Sequence, residues 1–181
     1  MEPVEINAGT WYLRALRHDD RVSDVPAVLE SARDPEILRW RHRPAPTPEA
    51  AVLHIAERDA AWREDRACSW AVCEPTTGEM LGEVAFAHLD LAMGVAEATC
   101  WALPRARGRG MITTALSAVL RFGFGGLGLD RVSYAWAVDN DASARVAERC
   151  GFTVEGTQRS AWVVDGRRVD CVMAGRLASD R

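Results

Sequence analysis

The sequence predicts a single α+β domain, a mixed sheet with helices on both faces. Three observations carry that expectation. Strand-like runs and amphipathic helical runs follow one another along the chain with no internal repeat, low-complexity tract or domain-boundary linker. A glycine-rich junction, Arg105-Ala106-Arg107-Gly108-Arg109-Gly110, passes at once into an apolar-periodic helix carrying Met111, Ile112, Ala115, Leu116, Val119, Leu120 and Phe124. The length, 181 residues, suits one domain that buries about two-thirds of its unfolded surface around a single core.

Taken in order, Trp11–Leu16 reads as a strand, and Asp19–Ala32 and Asp34–Arg39 as helices. The run Arg43-Pro44-Ala45-Pro46-Thr47-Pro48 ends one helix and starts another, with Thr47 as its cap and Pro48 at the first helical position. Val52, Ile55, Ala56 and Trp62 then mark an amphipathic helix reaching about Arg66. Ser69–Glu74 and Leu81–Leu89 flank the turn Pro75-Thr76-Thr77-Gly78, which suits an antiparallel hairpin. Val95–Leu103 reads as a strand, Gly110–Leu127 as a helix, Arg131–Val138 as a strand and Asp141–Cys150 as a helix. Phe152–Arg159 is a last strand before a hairpin whose tip is Asp165-Gly166, a pair suited to a two-residue turn.

Composition excludes several classes. The net charge is −4, and all 22 basic residues are arginines scattered along the chain, which argues against nucleic acid as the main partner and suits a cationic amine substrate. The exclusive use of arginine suggests a GC-rich bacterial genome. Cys68, Cys73, Cys100, Cys150 and Cys171 are odd in number, lack CxxC spacing and mostly sit in apolar runs, so they read as buried thiols with neither disulfides nor a metal implied. Met1-Glu2-Pro3-Val4-Glu5 resembles no secretory leader, and no stretch of about 18 apolar residues occurs, so a cytoplasmic protein without membrane contact is expected.

The junction at 105–110 is an anion trap. Its glycines let the backbone approach a ligand closely, and its N–H groups join the free donors of the following helix's first turn in facing a pyrophosphate. A Walker loop would need Gly-Lys-Ser/Thr, and the chain has no lysine. A dinucleotide fingerprint would need a glycine where Thr113 stands, and an acidic residue after the next strand, whereas Asp130 precedes it. What remains is Arg-x-x-Gly-x-Gly entering a helix after Trp101-Ala102-Leu103-Pro104.

That pattern resembles the acetyl-CoA loop of the GNAT N-acetyltransferase superfamily. A second block, Asn140-Asp141-Ala142-Ser143 continuing through Gly151-Phe152 to Glu155-Gly156, resembles the Asn-x-x-Ser…Gly-Phe…Glu-Gly signature of its Rim-type (RimJ/RimL-like) ribosomal-protein branch. Asp34-Pro35-Glu36-Ile37-Leu38-Arg39-Trp40, Thr76-Thr77-Gly78-Glu79 and Asp165-Gly166-Arg167-Arg168-Val169-Asp170 match the same branch in the same order, so the resemblance spans nearly the whole chain. It implies the GNAT acyl-CoA N-acyltransferase fold, with a mostly antiparallel, splayed sheet, and transfer of an acetyl group from acetyl-CoA to a primary amine by direct attack.

The resemblance also implies roles. The pantetheine arm would lie between Val95–Leu103 and Arg131–Val138. The pyrophosphate would be held by backbone N–H groups of Arg107, Gly108, Arg109, Gly110 and Met111, with Ile112 adjoining and the Arg105 side chain adding a charge-assisted contact. Backbone donors near Cys100, Trp101, Ala102 and Leu103 would hold the acetyl carbonyl, and one donor aimed at a developing oxyanion is worth about 3 to 4 kcal/mol. Glu97 is the candidate base, usually through water, with Glu83 as the spare. An α-amine of pKa about 8 costs about 1.4 kcal/mol to deprotonate at pH 7, against about 4.6 for a lysine, so an N-terminal amine asks little of a base.

Ser143 is the candidate donor to the leaving thiolate, since neither Tyr12 nor Tyr134 lies in the Asp141–Cys150 helix. Asn140 and Ser143 would also serve that helix's first turn, which is compatible with such a role. Gly151-Phe152 reads as a left-handed helix stop followed by a buried aromatic. Trp62, Trp70 and Trp162 read as core, and Trp40 as a residue of the acceptor entrance. Thr99-Cys100 replaces the Gly-Tyr common in the family, which bears on the shape of the acyl pocket. Three alternatives stay open at this level: a CoA-binding regulatory domain without turnover, an acyltransferase using another donor, and, least in keeping with the charge, acyl transfer from aminoacyl-tRNA. The acceptor is a protein N-terminal amine or a small amine, and a homodimer would follow family habit.

Overall fold

The computed structural model describes residues 1–40 and 44–180; Arg43, the first residue of the Pro-rich break, lies outside the described residues. The strands are β1 (Ile6–Asn7), β2 (Tyr12–Arg14), β3 (Cys68–Cys73), β4 (Met80–Asp90), β5 (Val95–Ala102), β6 (Arg131–Ala137), β7 (Thr153–Val164) and β8 (Arg167–Leu177). The helices are α1 (Val25–Ser31), α2 (Pro35–Trp40), α3 (Pro48–Arg63), α4 (Met111–Gly125) and α5 (Asp141–Arg149). Among the described residues the eight strands share one sheet in the order β1-β2-β3-β4-β5-β6-β8-β7. Every neighbouring pair is antiparallel except β5 and β6.

The two faces are covered by different helices, as the sequence predicts. Every residue of β3 is buried, the pattern of a strand covered on both sides. Its alternate residues go opposite ways. Cys68, Trp70 and Val72 join Leu116, Val119 and Leu120 of α4, whereas Ala71 and Cys73 join Val28 of α1, Ile37 of α2 and Ile55 of α3. Trp62 and Trp70 meet edge to face at 4.8 Å, both out of reach of water, and each such burial is worth about 2 to 3 kcal/mol. Gly123 lets α4 lie close to the sheet, because a Cβ there would stand 2.8 Å from the Phe86 ring.

Local chemistry accounts for the boundaries. Thr47 caps α3, its hydroxyl accepting from the Ala50 N–H at 3.2 Å with Pro48 in the first turn. The Glu74 carboxylate accepts the N–H groups of Thr76 and Thr77, both at 2.8 Å, and shapes the β3–β4 turn. Asp165 and Gly166 both have positive φ and join β7 to β8 in a two-residue turn.

Three expectations are corrected. The helix read over Asp19–Ala32 begins only at Val25. The Asp19 carboxylate takes the N–H groups of Arg21 and Val22, turning the backbone away from helix, and Pro26 sits in the first turn of α1. The strand read to Arg159 runs on to Val164 across bulges between Val154 and Gly156 and between Gln158 and Trp162. The two-residue β1 has no counterpart in the sequence reading.

Candidate active site

The sheet opens between β5 and β6. Their parallel pairing covers only Val95↔Arg131, Ala96↔Val132 and Glu97↔Ser133, after which the strands diverge. From Ala98 to Ala102 β5 continues paired with β4 alone. The helices α4 and α5 both start beside this gap, and a cleft of about 1060 Å³ runs through it.

The cleft's first wall is the glycine-rich loop. Gly108 and Gly110 adopt left-handed backbone (φ +73° and +72°), and a Cβ at either would meet nothing within 4 Å, so their conformation leaves the approach to the backbone open. Gly110 is the N-cap of the fifteen-residue α4, whose first-turn N–H groups lack partners within the helix. Arg107, Gly108, Gly110, Met111 and Ile112 line the cleft, as do Cys100, Trp101 and Ala102 of β5. Arg107, Gly108, Gly110, Met111 and Ile112 are thereby brought together with residues 100–102 across one opening.

Arg105 and Leu103 stand away from the cleft, and the Arg109 side chain points away from it, which leaves the expected role of its backbone N–H untouched. The Arg105 guanidinium lies between Glu30 and Glu79, 2.6 Å from the latter, instead of facing the cleft. Those two carboxylates, on α1 and before β4, are far off in sequence, so the pairing is tertiary. Leu103 is fully buried among the residues under α1 and α3, its N–H donating to Leu81 O. The Arg109 guanidinium stacks 4.8 Å from the Trp11 ring centre. Arg107 does line the cleft, but its guanidinium holds Asp34 and Glu36 at the start of α2 and tethers the loop to that helix. Burial pushes the Asp34 carboxyl up, but the Arg107 guanidinium and the Ile37 N–H, both donating to it, outweigh that and leave the group below its ordinary range.

On the other side of the gap, the Asn140 side chain accepts from the Ser143 N–H at 3.1 Å and caps α5. Both residues line the cleft. Tyr134 lies beneath them, 3% exposed, with its hydroxyl 3.3 Å from Cys100 Sγ and its ring against Trp136 and Phe152. Burial raises the Cys100 thiol to about 11 and holds the Tyr134 phenol well above its ordinary value. The sequence offered a signal for Tyr134: Val132, Tyr134 and Trp136 alternate along β6 and are buried, whereas the residues between them are half exposed.

The remaining wall is acidic and aromatic. Glu97 lines it, half buried. Glu83 is 2% exposed and heavily partnered: Trp101 Nε1 donates at 3.0 Å, Arg58 Nε lies at 3.0 Å and His54 Nε2 at 3.4 Å. Of the two carboxylates, Glu83 is thus held in a fixed network. Neither His54 nor Arg58 stood out in the sequence, because a helical histidine and arginine carry no mark of a partner 25 to 29 positions away. Trp40 lines the cleft as expected, and so does Trp162, which the sequence placed in the core. Arg39 of α2 reaches Asp165, at the β7–β8 turn, at 3.1 Å.

Comparison with known proteins adds to this geometry. Residues 12–153 match the family model described as an acetyltransferase (GNAT) domain. The uncharacterized N-acetyltransferase YoaA of Bacillus subtilis (strain 168) is 30% identical over 122 residues, 67% of this chain and 69% of that one. Among solved structures, ribosomal-protein-S5-alanine acetyltransferase from Vibrio fischeri superposes with a TM-score of 0.84 at 17% identity, covering 98% of both chains. Spermidine N-acetyltransferase from Vibrio cholerae, in complex with CoA and spermine, gives 0.82 at 20% identity over 94% of this chain and 97% of that one.

Proposed function

The chain belongs to the GNAT acetyltransferase family and is an acetyl-CoA-dependent acetyltransferase; from that premise we propose that it acetylates the α-amino group at a polypeptide N-terminus, as a Rim-like enzyme. The carrying observation is the cleft through the β5–β6 gap, which brings the Gly108–Gly110 loop, the capped start of α5 and Glu97 to one opening.

In this reading the backbone donors of residues 107–111 hold the pyrophosphate, where the left-handed glycines keep side chains out of the way. The pantetheine arm follows the unpaired side of β5, and N–H groups near Cys100–Ala102 receive the developing oxyanion. Glu97, or a water it orients, takes the proton of the incoming amine. Ser143, fixed by the α5 cap, is a donor to the departing sulfur. For an α-amine the base requirement is about 1.4 kcal/mol at pH 7, within reach of a half-buried carboxylate acting through water.

A second reading is a small cationic polyamine as acceptor. It is favoured by Glu36, Glu57, Glu83 and Glu97 all lining the cleft and by the spermidine acetyltransferase among the structural neighbours. Incubation with acetyl-CoA and equimolar Ala- or Ser-starting peptides and spermidine, followed by mass spectrometry of the products, separates the two. Acetylated peptide N-termini support the Rim-like reading, and acetylated spermidine alone replaces it with the second. Ser143→Ala should lower kcat about a hundredfold with whichever acceptor is used; unchanged turnover across pH removes Ser143 from the mechanism.

A further inference from the structure

Among the described residues, two inside strands adopt left-handed backbone without being glycine: His88 in β4 (φ +50°) and Ser160 in β7 (φ +51°). Ser160 is anchored there, its N–H donating to Asp170 at 2.8 Å and its carbonyl accepting from Arg168 at 3.2 Å. The His88 ring has no such hold. Among the described residues no hydrogen bond or ion pair engages it, whereas His18 is bonded to Ser23 and His54 lies 3.4 Å from Glu83. Glycine adopts this backbone freely and histidine only at a cost, so the packing of the ring does not account for the residue. The conformation belongs to a β-bulge. Ala87 pairs with Glu97 and Asp90 with Val95, so His88 and Leu89 together stand opposite Ala96 alone. Leu89 is buried in the core with α4, and its N–H donates to Arg66 O. His88 is exposed and lines the cleft together with Glu97. The bulge thus turns one extra side chain into the cleft, one residue along β4 from the register partner of the proposed base. Strained backbone of this kind gathers at functional sites.

We propose that His88 is the exit for the acceptor's proton: its imidazole receives the proton that Glu97, or the water Glu97 orients, takes from the amine, and passes it to solvent. The inference rests on the reading of this cleft as an acetyltransferase site with Glu97 as base. One N–H bond of the acceptor ammonium breaks, its electron pair stays on nitrogen and then bonds to the acetyl carbon, and the proton moves to the carboxylate or its water. A neutral imidazole accepts that proton at one ring nitrogen and releases the proton of the other to bulk water. The carboxylate is restored, and nothing is oxidised or reduced. Glu97 is half buried and His88 exposed, so the two stand in order from the site to solvent. Glu83, also on the cleft wall, is already engaged by His54, Arg58 and Trp101 and offers no comparable route. His88 acts through Glu97 and not on the substrate.

The test is His88→Gly in the intact chain, with acetyl-CoA and whichever of an Ala-starting peptide and spermidine the native chain acetylates. Glycine relieves the backbone and removes the ring. Tm should therefore not fall below the native value, while kcat should drop about tenfold or more at unchanged KM for acetyl-CoA. Added imidazole should restore acetylated product in His88→Gly, after subtraction of the enzyme-free reaction, and leave the native rate alone. A merely structural histidine would not answer to a free base in solution. His88→Asn also tolerates left-handed backbone and carries no base, so it should show the same loss of kcat and serves if the glycine variant does not fold. Native kcat in either variant, or a loss in His88→Gly that imidazole leaves in place, overturns the proposal. No transfer by the native chain to either acceptor, or transfer by Glu97→Gln as fast as by the native chain, overturns the reading on which it rests, and the proposal with it.

Discussion

Substituting Gly110 by alanine separates folding from cofactor binding. Gly110 has φ +72°, and a Cβ built there meets nothing within 4 Å, so the cost to the fold is conformational alone. A left-handed alanine costs about 1 to 2 kcal/mol. For a domain of this size each kcal/mol lowers Tm by about 2 to 4 °C, so Gly110→Ala should melt about 2 to 8 °C lower. Gly128 supplies the control: φ +69°, nothing within 4 Å of its Cβ, and no place in the cleft lining. Gly128→Ala should therefore melt about as early as Gly110→Ala. Only Gly110→Ala should lose CoA, because its methyl group would occupy the open approach to the backbone that the proposed pyrophosphate site uses. Losing one charge-assisted contact of about 1.5 to 3 kcal/mol weakens binding by about 10- to 100-fold. Differential scanning fluorimetry and isothermal calorimetry read the two quantities separately. Equal CoA affinities in the two variants would refute the reasoning about the loop.

Further outcomes follow from the same contacts. Arg14 and Asp24 form a buried pair at 2.7 and 2.9 Å, with side chains 5% and 2% exposed, and Asp24 also accepts the Arg17 N–H. Arg14→Ala strands that carboxylate and should cost about 3 to 5 kcal/mol in urea unfolding; a loss below about 1 kcal/mol would contradict the burial argument. Asp34 is held below its ordinary range in the folded chain, so its stabilising contribution is complete above its unfolded value, about 3.9, and is lost as pH falls through the lower folded value. The urea midpoint should accordingly fall through that acid window and fall less in Asp34→Asn; identical acid profiles would remove Asp34 from the account. All five cysteines are free, with burial raising Cys68 and Cys73 to about 12 and Cys100 to about 11. At pH 8 about a thousandth of Cys100 is thiolate and the other four thiols are buried, so the folded chain should react with a chromogenic disulfide far more slowly than the denatured chain, which should release five equivalents; rapid labelling of the native protein would contradict the burial of those four.

The central sheet was legible in the sequence because β3, β4, β5 and β6 carry continuous or alternating apolar runs bounded by turn chemistry, and α4 begins at a glycine junction no strand could contain. The glycine-rich loop was legible for the same reason: glycine at 108 and 110 is a backbone requirement written directly in residue type. Where tertiary contacts decide, the signal was absent. Asp24, the residue before α1, makes no side-chain cap because its carboxylate is taken by Arg14, ten positions earlier, and by the Arg17 N–H. β7 from Thr153 to Ser160 is exposed at every position, so it has no hydrophobic alternation by which its length could be read. The loop arginines were chemically ambiguous. Arg105 suits a phosphate as well as it suits Glu30 and Glu79, and only the fold shows that the carboxylates are already there. The same holds for Glu83, whose partners His54, Arg58 and Trp101 come from two elements.

The central claim, that this cleft transfers acetyl from acetyl-CoA to an amine, is tested most directly by release of free CoA thiol from acetyl-CoA. Ala- and Ser-starting peptides, lysine side chains, polyamines and aminoglycosides would serve as acceptors, with the Gly110→Ala chain measured alongside. The account predicts acceptor-dependent release, greatest with α-amino peptides, that falls at sub-saturating acetyl-CoA in proportion to the lost CoA affinity of Gly110→Ala. Measurable CoA binding with no release from any amine would contradict it and leave a CoA-responsive regulatory domain in its place.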